Sequence, residues 1–365
     1  MKPIANLAYK IFVTTIAVTA CTGALAPAAV AQSPSVDPAA APARLPSGTV
    51  DVPVEFQVTN TNDTAVPCAA DGQTYTVRGH LTAPIDQLHG GAITVYEHGI
   101  AAGEWYWRVP IDGYHHAYEM AERGHASLTI DRLGYDSSDA PGGNAMCVGS
   151  QATMAHHIVQ DLRAGTYRWA SPEPAPAFGQ VSLAGQSNGG QIAQIEAYSF
   201  DDIDSLIVMD WADQGLTPEA YGRFFAAVGR CVAGGEPAEH NPAAGGYVYY
   251  DQGREEFVAG NFGNVDAAVL RFAAPQQNLH PCGDMMTQGP GILVDLAELG
   301  TITIPVLGMY GERDSRVQWG DEHMKMFHSS VRTDVFTLPA AGHYMSHSKN
   351  VADIYDRLDL WLDTI

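Results

Sequence analysis

Positive charge is scarce in this chain. Nineteen lysines and arginines stand against 41 aspartates and glutamates, a formal charge of −22 over 365 residues. Nucleic acid and anionic membrane surfaces both need a basic face, so the composition excludes them as partners. The plain reading of the charge is solubility of an exported protein. No internal repeat or heptad pattern occurs, and no apolar run is long enough for a mature membrane span. Cys-x-x-Cys is also missing, which leaves zinc or redox chemistry little support. What is present is a hydrophobic fraction of 46%, ordinary for a folded chain. The length suits one large α/β domain or two small ones.

The first residues read as a targeting segment. Lys2 and Lys10 flank a short polar start, Ile11 to Ala20 is apolar, and Ala29-Val30-Ala31 supplies small residues where a signal peptidase cuts. Residues 1–31 are therefore expected to be a signal peptide, with secretion and a mature start near Gln32. Val18-Thr19-Ala20-Cys21 resembles a bacterial lipobox, and the alternative is a lipid anchor at Cys21 on the cell surface. Residues 32–49, rich in Pro, Ala and Ser, read as a disordered leader. Apart from Cys21 there are four cysteines, and an even count in an exported chain predicts two disulfides. Of three pairings, Cys68–Cys147 with Cys231–Cys282 is expected, because the last two fall in one inserted segment.

Residues 50–59 and 73–84 are β-rich and separated by turn signals, as in an antiparallel hairpin at a sheet edge. Short runs apolar on both faces follow at 92–97, 126–130, 181–184, 206–209 and 305–310, the pattern of strands buried in a parallel sheet. Helical stretches at 115–123, 152–168, 188–198 and 319–329 alternate with them, then a last strand at 333–338 and a closing helix at 351–364. This alternation predicts an α/β fold, a mostly parallel central sheet flanked by helices. The rhythm fails between Trp211 and about Gly300. Residues 50–211 and 301–365 read as the core, and 212–300 as an inserted, mainly helical cap with many aromatics.

Val181 to Gly190 runs from an apolar strand into a helix through Gly185-Gln186-Ser187-Asn188-Gly189. G-x-S-x-G in that setting is a nucleophile elbow: a tight turn presents Ser187 Oγ at the carboxyl end of the sheet, near a helix N-terminus. A serine needs a base within reach. His343, after Gly342 just beyond the last strand, is the candidate, with His347 the runner-up and expected at the surface. Asp314 is the expected acid, in the loop after 305–310; Glu312 and Asp210 are alternatives. Two backbone N–H groups should face the developing oxyanion, one from Asn188 and one from Ile100, with Ala101 the alternative to Ile100. His98 is expected to prop that loop. The pairs His115-His116 and His156-His157 point in different directions on a helix and read as surface or satisfied residues rather than metal ligands.

Over residues 75–365 these features resemble the α/β-hydrolase superfamily in kind and order: elbow, His-Gly loop, late Asp and terminal Gly-His. Asp131 to Pro141 is similar to the loop after the fourth strand in esterases, epoxide hydrolases and prolyl iminopeptidases. No HGGG run is present, and a serine rather than an aspartate nucleophile disfavours epoxide hydrolysis and dehalogenation. The resemblance implies acyl transfer through Ser187, His343 and Asp314 with no metal or organic cofactor. The leading expectation is hydrolysis of small, fairly apolar carboxylic esters, the apolarity being inferred from the aromatic cap. One alternative is a peptidase or amidase of prolyl-iminopeptidase type, with Glu255 and Glu256 holding a substrate amine. The other is a non-catalytic binding protein that kept the fold.

Overall fold

The computed structural model describes residues 41–365. The signal peptide, Cys21 and the leader as far as residue 40 lie outside the described residues. The rest of the expected leader lies against the body: Asp112 N–H donates to Ala41 O at 2.9 Å and Ala43 N–H to Pro110 O at 3.4 Å. Strand β1 (Thr49–Thr59) then pairs antiparallel with β2 (Thr74–Pro84) in full register.

The central strands are β3 (Ala92–Glu97), β4 (Ala126–Asp131), β6 (Gln180–Gln186), β7 (Ser205–Met209), β10 (Val306–Gly311) and β11 (Thr333–Leu338). With β5 (Arg168–Trp169) at the far edge, the sheet order is β11-β10-β7-β6-β3-β4-β2-β1-β5. From β4 to β11 neighbours run parallel; β2 meets β4 antiparallel. Every residue of β4, β7 and β10 is buried, because helices cover both faces. Alternation assigns successive side chains to opposite cores: Leu206 and Val208 join one cluster, Ile207 and Met209 the other. Helices α2 (Val148–Ala164) and α3 (Asn188–Phe200) supply the first cluster with residues such as Ile158, Leu162 and Ala193. The second draws on Met120 of α1 (His116–Glu122) and Leu358 of α9 (Ala352–Leu362). At the outer edge β11 exposes alternate residues, as one uncovered strand side requires.

Between β7 and β10 the chain runs through α4 (Pro218–Val232), β8 (Tyr247–Val248), α5 (Arg254–Asn261), α6 (Ala267–Ala273), β9 (His280–Pro281) and α7 (Cys282–Glu298). Thr217 caps α4 by accepting from Ala220 N–H, and Pro218 fills its first position. The last of these helices touches both the insertion and the core helices. α7 packs on α2 and α3 as well as on α4. The stretch 319–329 forms less helix than expected, α8 (Gly320–Met324) alone. Beyond it Ser330 Oγ donates to Ile304 O and Arg332 O, an alternative to helical bonding that short polar side chains favour.

Both disulfides form, Cys68–Cys147 and Cys231–Cys282. The second ties the last turn of α4 to the first residue of α7 across 51 residues. In the chain-entropy model, closing such a loop stabilises by about 4 kcal/mol. Replacing Cys231 and Cys282 together by serine is expected to lower unfolding stability by up to that amount in urea melts. An unchanged midpoint would show that the bridge adds nothing.

Candidate active site

The carboxyl ends of β3 and β6 lie side by side, Glu97 opposite Gly185. Here the chain order reverses, since β4 follows β3 on one side and β6 lies on the other. Open α/β sheets bind ligands in this crevice.

Ser187 sits one residue beyond β6 at φ 54°, ψ −124°, a conformation that residues with a Cβ rarely adopt. Its N–H donates to Met209 O at 2.7 Å, and its carbonyl accepts from Gly190 N–H at 2.8 Å. The two motif glycines are sterically required. A Cβ at Gly185 would stand 2.1 Å from Gly189 O, and one at Gly189 would stand 2.7 Å from Glu97 O. Within 181–190 only Ser187 is not buried, so the turn delivers one hydroxyl to the crevice.

His343 follows β11 by five residues and is 4% exposed. Its Nε2 lies 2.9 Å from Ser187 Oγ and its Nδ1 2.8 Å from Asp314 Oδ2. Asp314 Oδ1 accepts backbone N–H groups from Arg316 at 2.7 Å and Val317 at 3.1 Å, which fixes the carboxylate. The His343 loop is pinned from two sides. Gln186 Nε2 donates to His343 O at 2.9 Å, and Tyr344 N–H donates to Asn261 O at 2.7 Å. Asp210 also reaches this cluster from the end of β7, with Oδ1 accepting Gly311 N–H at 2.8 Å. Burial, with Asp314 beside it, pushes the Asp210 carboxyl well above the usual carboxylate range. Met345 N–H also reaches this carboxyl, and Asp314 stands beside it as the acceptor for a proton on Asp210.

Asn188 opens α3, and a first-turn N–H has no partner within the helix. Ile100 lines the same cavity as Ser187, and its carbonyl accepts the Tyr344 hydroxyl at 3.2 Å. Behind both loops lies Arg132, 1% exposed. Its Nε donates to His98 O at 3.0 Å and its Nη2 to Asn188 Oδ1 at 3.3 Å. His98 props the loop as expected: Nε2 accepts Arg132 N–H at 3.1 Å, and burial holds the ring well below its ordinary value, so it stays neutral. Nothing in the sequence reading singled out Arg132, although it sits in the quoted Asp131–Pro141 loop.

Ser187 and His343 face a cavity of about 30 Å³, with apolar walls from Ile100, Trp211, Leu216 and Val317. Of the aromatics in the inserted segment only Tyr250 reaches it. Phe257, Phe262 and Phe272 instead pack in the core with Tyr344 and Trp105, and Phe225 faces solvent. Most rings of the insertion thus pack away from the cavity, and polar groups enter it beside the apolar walls.

Other candidates separate. Glu312 is exposed and its Oε2 accepts Ala340 N–H at 2.8 Å. His347 is buried, not at the surface: its ring stacks on Trp105 at 5.9 Å, and burial lowers it to about 3. His116 is likewise fully buried. Glu255 is exposed and Glu256 pairs with Arg223, so neither lines the cavity. Ligand atoms of His156, Glu196 and Asp202 lie within 4.8 Å of one another, a grouping that the adjacency of His156 and His157 did not reveal.

No family model matches the chain, and no curated protein does. Solved structures do match it. An esterase from Thermogutta terrifontis, with malate bound, superposes at TM-score 0.57 and 16% identity, over 85% of this chain and 98% of its own. Rv0554 from Mycobacterium tuberculosis gives 0.59 at 15% identity over 85% and 99%. A hydrolase from Pseudomonas aeruginosa PA01 gives 0.54 at 16% over 82% and 99%. The fold is the α/β-hydrolase fold. Similarity this low carries the fold and leaves the chemistry to the site.

Glu97, at the end of β3, supplies a test of the buried charge behind this site. It is 2% exposed, its Oε2 has no partner, and burial raises its carboxyl to about 8 against the pull of Arg132. Unfolded, it titrates near 4.5. Between those values the folded chain keeps a proton that the unfolded chain loses, so stability falls as pH rises through that window and levels off above it. Glu97→Gln should flatten this slope. Its melting temperature at pH 8.5 should exceed that of the parent by roughly 2–4 °C per kcal/mol recovered. Parallel melting curves for the two proteins from pH 5 to 8.5 would refute the buried neutral carboxyl.

Proposed function

We propose that the chain is a secreted serine hydrolase that cleaves carboxylic esters. Support comes from one observation above all: the imidazole of His343 has its two nitrogens 2.9 Å from Ser187 Oγ and 2.8 Å from Asp314 Oδ2. Ser187 is the nucleophile, His343 the base, and Asp314 holds the tautomer with Nδ1–H bound. As Oγ attacks the ester carbonyl, His343 takes its proton, and the N–H groups of Asn188 and Ile100 hold the oxyanion. The C–O bond to the alcohol then breaks, and His343 returns the proton to the leaving alkoxide. Water repeats the sequence on the acyl-enzyme and releases the acid.

Residues 1–31 are the proposed signal peptide, and two disulfides suit an oxidising destination. An intact mass starting near Gln32 tests this against a diacylated Cys21. The inserted segment 212–300 is the proposed cap. It contributes Tyr250, Asp251 and Asn261 to the cavity and clamps the histidine loop through Asn261. The amidase reading gains nothing from Glu255 and Glu256, which lie elsewhere.

Ser187→Ala is expected to lower turnover of p-nitrophenyl acetate by roughly 10⁴-fold or more while leaving the melting temperature within a few degrees. Retained turnover would end the serine mechanism. Faster cleavage of proline p-nitroanilide than of the ester would turn the assignment to amidase. Asp314→Asn should lose roughly 10⁴-fold through the wrong tautomer. Asp210→Asn should stay within about tenfold, because an amide reproduces the neutral carboxyl's acceptor and donor. Equal losses in these two variants would contradict the assigned roles.

A further inference from the structure

Arg316 is the cavity's unexplained cation. Its side chain is 4% exposed and lines the cavity with Ser187 and His343. Most of the guanidinium is committed. Nη2 donates to Asp251 Oδ1 at 2.5 Å. A Cβ at Gly260 would fall 2.0 Å from Nη2, 2.5 Å from Cζ and 2.9 Å from Nε, so that flank lies on the backbone of α5. Cζ stands 5.0 Å from the centre of the Tyr250 ring. What remains is Nη1, buried and without a hydrogen-bond partner.

Asp251 does not answer for it. Oδ1 also receives Arg223 Nη1 at 2.5 Å, and Oδ2 receives Asn261 Nδ2 at 3.3 Å. Asp251 is thus shared with Arg223, which also binds Glu219 at 2.6 Å and Glu256 at 3.4 Å. A buried donor on a charged group is expensive to leave unmade, and the flat edge of a guanidinium matches a carboxylate. The Arg316 backbone N–H bonds Asp314 Oδ1 at 2.7 Å, so the same residue is anchored to the proposed acid of the triad.

We infer that the guanidinium of Arg316, which lines the cavity with Ser187, binds a carboxylate carried by the substrate, so that the preferred substrate is a short ester with an anionic arm. This rests on the ester-hydrolase reading and narrows it to a substrate class. The cavity that Arg316 shares with Ser187 is small, about 30 Å³, and partly open to solvent. The arm between carboxylate and scissile carbonyl is correspondingly short, as in a monoester of succinic acid. In the reaction Ser187 Oγ forms its bond to the ester carbonyl, the alcohol leaves with the proton from His343, and water releases the dicarboxylate.

The test compares monomethyl succinate with methyl succinamate, its neutral isostere, by the methanol each releases from the mature enzyme. The anionic ester should be favoured roughly tenfold or more in kcat/KM. In Arg316→Gln the ratio should fall to about one, and Arg316→Lys should keep part of it. A ratio of one or below in the parent protein overturns the subsite, whatever the variants do and whether or not they fold. The two readings fail separately. If neither ester turns over, thermal shifts of Ser187→Ala with succinate and with succinamide decide. A rise with succinate alone keeps the anion subsite and removes the esterase reading; equal or absent shifts remove the subsite.

Discussion

The turn at Ser187 is the constraint from which the rest of the site follows. A residue with a Cβ is held at positive φ there, where a single extra methyl on either flanking glycine would strike backbone oxygen. Such a conformation persists only if its surroundings over-determine it. Here β7 supplies the bond to its N–H, α3 takes its carbonyl into the first helical turn, and β3 closes the space above Gly189. Hence the order of the strands matters more than the identity of their apolar residues. Three carboxyl ends must lie level for the hydroxyl to emerge, and the pairing Glu97–Gly185 and Gln186–Met209 keeps them so.

Placing a site at this edge concentrates ionisable groups where water is scarce. Glu97, Asp210 and Asp284 are buried, and burial raises all three carboxyls, Asp284 to about 6. Arg132 is the counterweight. It lies 3.6 Å from Asp284 while its other nitrogens hold His98 and Asn188. The loops proposed to carry both oxyanion donors are therefore braced by one buried guanidinium. A neutral Asp210 behind Asp314 follows the same rule: two carboxylates cannot both stay charged side by side in a dry cluster.

Much of the fold was legible in the sequence, because its signals are local. Runs apolar on both faces marked β3, β4, β6, β7 and β10 to within two residues, and Ser187, Asp314 and His343 stood in order at strand ends. The misses share a physical cause. Burial is a tertiary property, so the sequence assigned His347 to the surface although it stacks under Trp105. The aromatics of 212–300 read as a cap over the site, but from sequence Phe257 cannot be told from Tyr250; one fills the core and the other reaches the cavity. Arg132 and Arg316 were invisible for the complementary reason. An arginine in a loop is ordinarily solvated, and only packing turns it into an anchor. Cys231 and Cys282 were paired correctly because an insertion must close on itself near its ends.

A strongly acidic protein proposed to take an anionic ester presents two electrostatic scales. The charge of −22 opposes approach of an anion, but at physiological ionic strength it is screened beyond roughly 8 Å. That field acts on the encounter rate. Inside the cavity screening is weak, and a bound carboxylate would meet the Arg316 guanidinium beside its partner Asp251. Net charge therefore sets solubility and encounter, while the proposed selectivity depends on a single buried guanidinium. This separation explains why composition excluded nucleic acid and yet said nothing about the charge of a small substrate.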